Sequence, residues 1–266
     1  MRIVVTSDTH YHPRWHVVLT DFVKRIAALN PDCLIIAGDV GERVEGFMAM
    51  LKLFQLVDCP RLLLSGNHDL WSRGGYDSEK LFTEVLPELA HQHGTVWLET
   101  ENWVYDGIGI CGTNGWYDYS GRDPSIALTA SQYFAQKRMV MADGEFINWL
   151  WNDVEVARAM GDAFSQRLRW LDEDEGVRQV IVATHVPCFT EAIERRPGDF
   201  TWNLTNAYFY NLTLGQRITA SNKVTHVFSG HTHIGKHSKI FTDAQTIEMR
   251  VIPADYGKPA YALIDL

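Results

Sequence analysis

The stretch Gly66-Asn67-His68-Asp69 sets an amide oxygen, an imidazole and a carboxylate side by side. It follows the apolar run Leu62-Leu63-Leu64, so it reads as the end of a buried strand opening into a loop. Four other apolar runs end in similar groups: Asp8-Thr9-His10, Gly38-Asp39, Thr184-His185 and Gly230-His231-Thr232-His233. Each alone is an ordinary polar loop. Jointly they offer seven metal ligands at strand ends: Asp8, His10, Asp39, Asn67, His185, His231 and His233. Divalent metals such as Mn, Fe, Zn and Ni accept mixed nitrogen and oxygen sets of this kind. Two ions about 3.5–4 Å apart can hold both the attacking and the leaving oxygen of a displacement at phosphorus. A carboxylate has two oxygens, and Asp39, on the middle strand, is the natural bridge between them.

The elements that would position these groups follow from periodicity. Residues 2–7, 33–37 and 61–65 read as strands, and residues 15–29 and 43–57 between them as amphipathic helices. Strand, helix, strand, helix, strand implies parallel pairing with right-handed crossovers. All C-terminal strand ends then share one edge, where α/β proteins bind ligands. Further strands are expected at 95–98, 103–111, 177–183, 224–228, 237–242, 246–253 and 260–265, with a helix at 78–91. Asp106-Gly107 marks a turn. Residues 120–175 are helical and rich in Met, Trp and charge, and read as an insertion or cap over the site. Ligand-ended strands in both halves of the chain imply two sheets packed face to face. There is no Pro/Ser-rich linker, so residues 1–266 are expected to form one domain.

In this order the five stretches resemble the calcineurin-like metallophosphoesterase superfamily. Residues 3–70 and 180–255 carry the resemblance. It implies an α/β fold of the α+β kind, a two-sheet β-sandwich flanked by helices, and metal-dependent hydrolysis of phosphomonoesters, phosphodiesters or pyrophosphates. It implies one metal on Asp8, His10, Asp39 and His233, and a second on Asp39, Asn67, His185 and His231. It further implies that His68 protonates the leaving oxygen and that Asp69 orients and charges His68.

Arg43 stands four residues after Asp39, where serine/threonine phosphatases of this superfamily grip phosphate. Their other phosphate arginine is replaced here by Ser65, so Arg43 reads either as a phosphate contact or as a solvated first-turn residue. Asn114, Trp116 and Tyr117 follow a strand and could line the wall of the site; Trp116 could equally anchor the cap. Gly107-x-Gly109-x-x-Gly112 fits a dinucleotide fingerprint in letters only, because no helix opens after it.

The 266 residues are 46% hydrophobic and 21% charged, enough apolar content for a large core. A net charge of −9 disfavours nucleic-acid partners, whose binding draws on Lys and Arg. It permits a small phosphoester whose charge is met by metal ions. Four scattered cysteines without a CxxC pair, no apolar leader and no membrane-length run together imply a cytoplasmic enzyme. The expected activity is phosphodiester or phosphomonoester hydrolysis on a small or nucleotide-like substrate. The alternatives are a nuclease or protein phosphatase of the same superfamily, and a scaffold without activity.

Overall fold

The computed structural model describes all residues, Met1–Leu266. The first half winds as expected: β1 (Arg2–Thr6), α1 (His16–Ala28), β2 (Cys33–Ala37), α2 (Val44–Phe54) and β3 (Arg61–Leu64). A helical stretch follows, α3 (Ser78–Lys80) passing through a π turn into α4 (Leu86–Gln92), and then β4 (Thr95–Trp97). These strands pair in parallel in the order β1-β2-β3-β4.

The second sheet begins with β5 (Trp103–Tyr105) and β6 (Ile108–Thr113), a tight hairpin whose turn places Asp106 and Gly107 at φ 46° and 74°. Positive φ at both positions matches the twist of the flanking strands. After β6 come α5 (Ala130–Val140), α6 (Asp143–Phe146) and α7 (Asp153–Glu173). Then follow β7 (Gln179–Thr184), α8 (Phe200–Thr205), α9 (Leu212–Thr219), β8 (Val224–Ser229), β9 (Lys236–Phe241), β10 (Thr246–Val251) and β11 (Tyr261–Asp265). Strand β11 returns to the first sheet and lies antiparallel to β1. The second sheet runs β5-β6-β7-β8-β10-β9, with β6, β7, β8 and β10 parallel.

Period-two alternation decides what lies between the sheets. Ile3 and Val5, Ile35 and Ala37, Leu62 and Leu64 point inward to meet Ile110, Ile181, Ala183 and Phe228 of the second sheet. Val4, Leu34, Ile36 and Leu63 point outward and are covered by Phe22, Ile26, Phe47, Leu51 and Leu86 of the helices. The second sheet is covered in turn by α7 and α9, through Phe164, Leu168, Leu171, Leu214 and Ile218.

The helical region at 120–175 divides differently from expectation. Helix α7 is the crossover between the parallel strands β6 and β7, and its apolar face packs on the outer side of the second sheet. Only the residues before it form the insertion. Lys137 ties it to the start of α7: its Nζ meets both oxygens of the buried Asp153 carboxylate at 2.7 and 2.9 Å. Trp116 Nε1 also donates to Asp153 at 2.8 Å, and so does the Tyr119 hydroxyl.

Candidate functional site

The parallel strands deliver their loops to one edge. Asp8 and Asp39 stand two residues beyond β1 and β2, Asn67 three beyond β3, His185 directly after β7 and His231 two beyond β8. The close approach of these loops needs glycine. A Cβ on Gly66 would lie 2.0 Å from Asp39 Oδ1, and one on Gly230 would lie 2.2 Å from Asp8 Oδ2. Asp8, His10, Asp39, His231 and His233 all hold left-handed backbone, with φ between 40° and 70°. Such angles are costly in residues with a Cβ, and when several occur together they mark a place where function outweighs local comfort.

All seven residues expected as ligands meet here. His10 Nε2 lies 3.1 Å from His233 Nε2 and 3.6 Å from Asp39 Oδ2. His233 Nε2 lies 3.3 Å from Asp8 Oδ1. Asp8, His10, Asp39 and His233 thus bring four donor atoms within 4.8 Å of one another. On the other side of Asp39, His185 Nε2 is 3.3 Å from Oδ2. Asn67 Oδ1 lies 3.0 Å from His185 Nε2 and 2.9 Å from His231 Nδ1.

The far side of each of the latter two imidazoles is committed to the protein. His185 Nδ1 faces the Ala37 carbonyl at 2.9 Å and His231 Nε2 the Tyr208 carbonyl at 3.0 Å. Each ring donates its outward N–H to that carbonyl, which aims the other nitrogen at the cluster. Burial opposes a charge on His185, but Asp39 and Asp8 outweigh it and raise His185 to about 10, so its inward Nε2 also carries a proton, one that a metal would have to displace. Burial pushes His10 down to about 4, and burial with the nearby His185 does the same for His231. Both imidazoles are therefore neutral, the form that binds metal. Burial would raise Asp39, but His185, His68 and His10 hold it well below the usual carboxylate range.

No Lys or Arg comes within ion-pair distance of the buried Asp8 or Asp39; their partners are histidines. Imidazoles and carboxylates converging with no Lys or Arg among them are a donor set that fits divalent metal ions.

His68 is next to this cluster. Its backbone N–H donates to Asp39 Oδ1 at 2.9 Å, and its Nε2 lies 3.9 Å from Asp39 Oδ2. Its ring stacks on Trp71 with centroids 3.8 Å apart. Burial opposes its charge, but Asp39 and Glu42 outweigh that and raise its pKa in the metal-free protein.

Asp69 does not do what was expected of it. Its carboxylate turns away from His68 and accepts from the backbone N–H groups of Val40 and Gly41, both at 2.9 Å, and of Gly66 at 2.8 Å. It braces the two loops that carry Asp39 and Asn67. At His68 Nδ1 stand Glu42 Oε1, 3.8 Å away, and the Tyr256 hydroxyl, 3.4 Å away. Glu42 is itself gripped by Arg73 at 2.9 Å. A carboxylate three residues after Asp39 was visible in the sequence. Tyr256, which also stacks on His10 at 4.2 Å, follows no ligand-ended strand and gave no such signal.

The four residues expected at the substrate wall part company. Arg43 lines a cleft of about 490 Å³ that opens beside His10 and Tyr256 and also includes Arg14 and Glu42. One Arg43 nitrogen donates to the Arg73 carbonyl at 3.2 Å. Asn114 is fully buried, and its amide donates to the Ser65 carbonyl at 3.0 Å, so it braces the loop from behind. Trp116 is buried, its Nε1 held by Asp153 at the start of α7 and its ring edge-on to Trp149 of the insertion at 4.5 Å. Tyr117 is also buried, its ring nearly parallel to that of His231 at 6.5 Å and its hydroxyl on Asp143 at 3.0 Å. Tight packing of the loop after β6 under the insertion leaves none of these three a free face.

Among solved structures, the chain is similar to the phosphopantetheinyl hydrolase of Mycobacterium tuberculosis, at 19% identity and a TM-score of 0.69, over 98% of this chain and 95% of that one. A dimetal phosphatase from Danio rerio aligns at 13% identity and 0.58, over 99% and 91%. The protein TT1561 of Thermus thermophilus aligns at 12% identity and 0.53, over 93% and 88%. At these identities the likeness is one of fold. No curated protein sequence matches the chain. The family model for calcineurin-like phosphoesterases matches residues 1–235, the span that delivers all five ligand-bearing loops, and the chain belongs to that family.

Proposed function

We propose that this protein is a dinuclear-metal phosphoesterase acting on a small phosphodiester or phosphomonoester. The observation that carries the reading is the meeting of seven donor side chains around Asp39, five of them in left-handed backbone. Asp8, His10, Asp39 and His233 would hold one ion, and Asp39, Asn67, His185 and His231 the other. Divalent ions bound there supply Lewis acidity at a phosphoryl oxygen and make water a competent nucleophile near neutral pH.

The chain's own residues do the rest. Asp8 is fixed by two bonds from the His231 backbone N–H, at 3.0 and 3.1 Å, so its position owes nothing to a bound ligand. His68, backed by Glu42 and Tyr256, is placed to give a proton at Nε2 to the departing oxygen. Trp71 holds the ring plane. The cleft beside His10 receives the remainder of the substrate, with Arg14 and Arg43 available to a second anionic group.

The acidic net charge favours a small substrate over nucleic acid. The absence of a second phosphate-gripping arginine at Ser65 separates the chain from serine/threonine phosphatases. An inactive scaffold is disfavoured because no ligand is missing. Four unpaired cysteines agree with a cytoplasmic setting, and no helix is long and apolar enough to cross a membrane. We also treat residues 1–266 as one domain, because both sheets share one interior.

The test is hydrolysis of bis(p-nitrophenyl) phosphate and p-nitrophenyl phosphate by protein reconstituted with Mn, Fe, Zn or Ni. A phosphopantetheine diester joins the panel because a solved neighbour is named as a phosphopantetheinyl hydrolase. Metal-dependent turnover is expected; two bound ions with no turnover on any phosphoester would favour the scaffold.

A further inference from the structure

Asp143 belongs to the insertion, yet its buried carboxylate bonds to nothing in it. Its Oδ1 accepts from Asn67 Nδ2 at 2.8 Å and from Trp71 Nε1 at 2.7 Å; its Oδ2 accepts from the Tyr117 hydroxyl at 3.0 Å. All three partners belong to the loops around the metal cluster. The insertion is latched beside them, since the Ser72 N–H and hydroxyl both donate to the Phe146 carbonyl, at 2.8 and 2.7 Å.

The two ends of an amide are nearly equal in shape and opposite in function. A carboxylate only accepts, so Asp143 requires the NH₂ end of Asn67 to face it. The Asn67 oxygen is then turned toward His185 and His231. Without that acceptor the amide is free to flip and present two N–H donors to a cation.

We infer that Asp143 is a positioning residue that sets which end of the Asn67 amide faces the cluster, so that docking of the insertion and filling of the Asn67–His185–His231 site are coupled. This rests on the metal-site reading above. The coupling is reciprocal: a metal in that site must stabilise the docked insertion as much as the docked insertion stabilises the metal.

Mn²⁺ titration of the metal-free protein, followed by electron paramagnetic resonance, tests it. Wild type should bind two ions. Asp143→Ala should keep the site of Asp8, His10 and His233 and weaken the other by about 10–100-fold, the usual cost of losing an outer hydrogen-bond partner. Asp143→Asn keeps an acceptor oxygen for Asn67 and Trp71, and should restore the second site to within about threefold of wild type. Asp143→Ala binding both ions as wild type does, or losing both equally, would overturn the inference. A wild type that binds none would instead remove the metal-site reading beneath it. Should Asp143→Ala not fold, hydrogen exchange on wild type decides: Mn²⁺ should raise protection of the amides at 142–147, and unchanged protection overturns the coupling.

Discussion

Replacing His68 by alanine removes an imidazole but keeps the backbone N–H that donates to Asp39 Oδ1 at 2.9 Å. The His68 imidazole comes no nearer to the Asp39 carboxylate than an Nε2–Oδ2 separation of 3.9 Å, so the cluster of donors stays whole. The variant should therefore bind as much metal as wild type. What it loses is a proton donor, worth about 10²–10⁴ in rate, or about 3–5 kcal/mol of barrier. That loss depends on the leaving group. An alkoxide needs the proton and should show the full loss in kcat; p-nitrophenolate leaves unaided and should show much less. The assay compares kcat for methyl p-nitrophenyl phosphate with kcat for an alkyl phosphodiester, each with metal content measured on the same sample. Equal losses on both substrates, or an undiminished rate on the alkyl ester, would refute the role of proton donor. Loss of metal would show that His68 is part of the ligand set after all.

Four more outcomes follow from particular contacts. Asp69→Ala leaves three buried N–H groups without an acceptor, at about 1–3 kcal/mol each, and should lower the melting temperature sharply; Glu42→Gln should leave it nearly unchanged while reducing kcat about tenfold. Gly66→Ala drives a methyl to 2.0 Å from Asp39 Oδ1, so it should lose metal and about 1–3 kcal/mol or more of stability in thermal denaturation. Lys137→Ala strands the buried Asp153 carboxylate and should cost about 3–5 kcal/mol by denaturant unfolding; a change under about 1 kcal/mol would mean the insertion does not depend on that pair.

The five ligand-bearing loops were legible in the sequence because each follows a continuous apolar run, and parallel strands must end on one edge. The strands themselves were legible as continuous apolar runs, but Ile3-Val4-Val5 and Leu34-Ile35-Ile36 are apolar on both faces, so the letters did not say which side meets the second sheet. What was not legible is long-range pairing of polar side chains. Asp69 sits beside His68 in the chain, but a turn of backbone points it at Val40 and Gly41 instead. Glu42 and Tyr256 reach His68 from separate loops. Helix α7 carries enough charge to resemble a cap helix, and only its buried face, Phe164, Leu168 and Leu171, assigns it to the crossover. Asp143 has no pattern around it at all; its meaning lies wholly in the partners that folding brings to it.

Anomalous diffraction from crystals grown with Mn²⁺ tests the central claim most directly. The account predicts two peaks flanking the Asp39 carboxylate, one among Asp8, His10 and His233 and one among Asn67, His185 and His231. A protein that crystallises with its loops as described here and shows no peak beside Asp39 would contradict it.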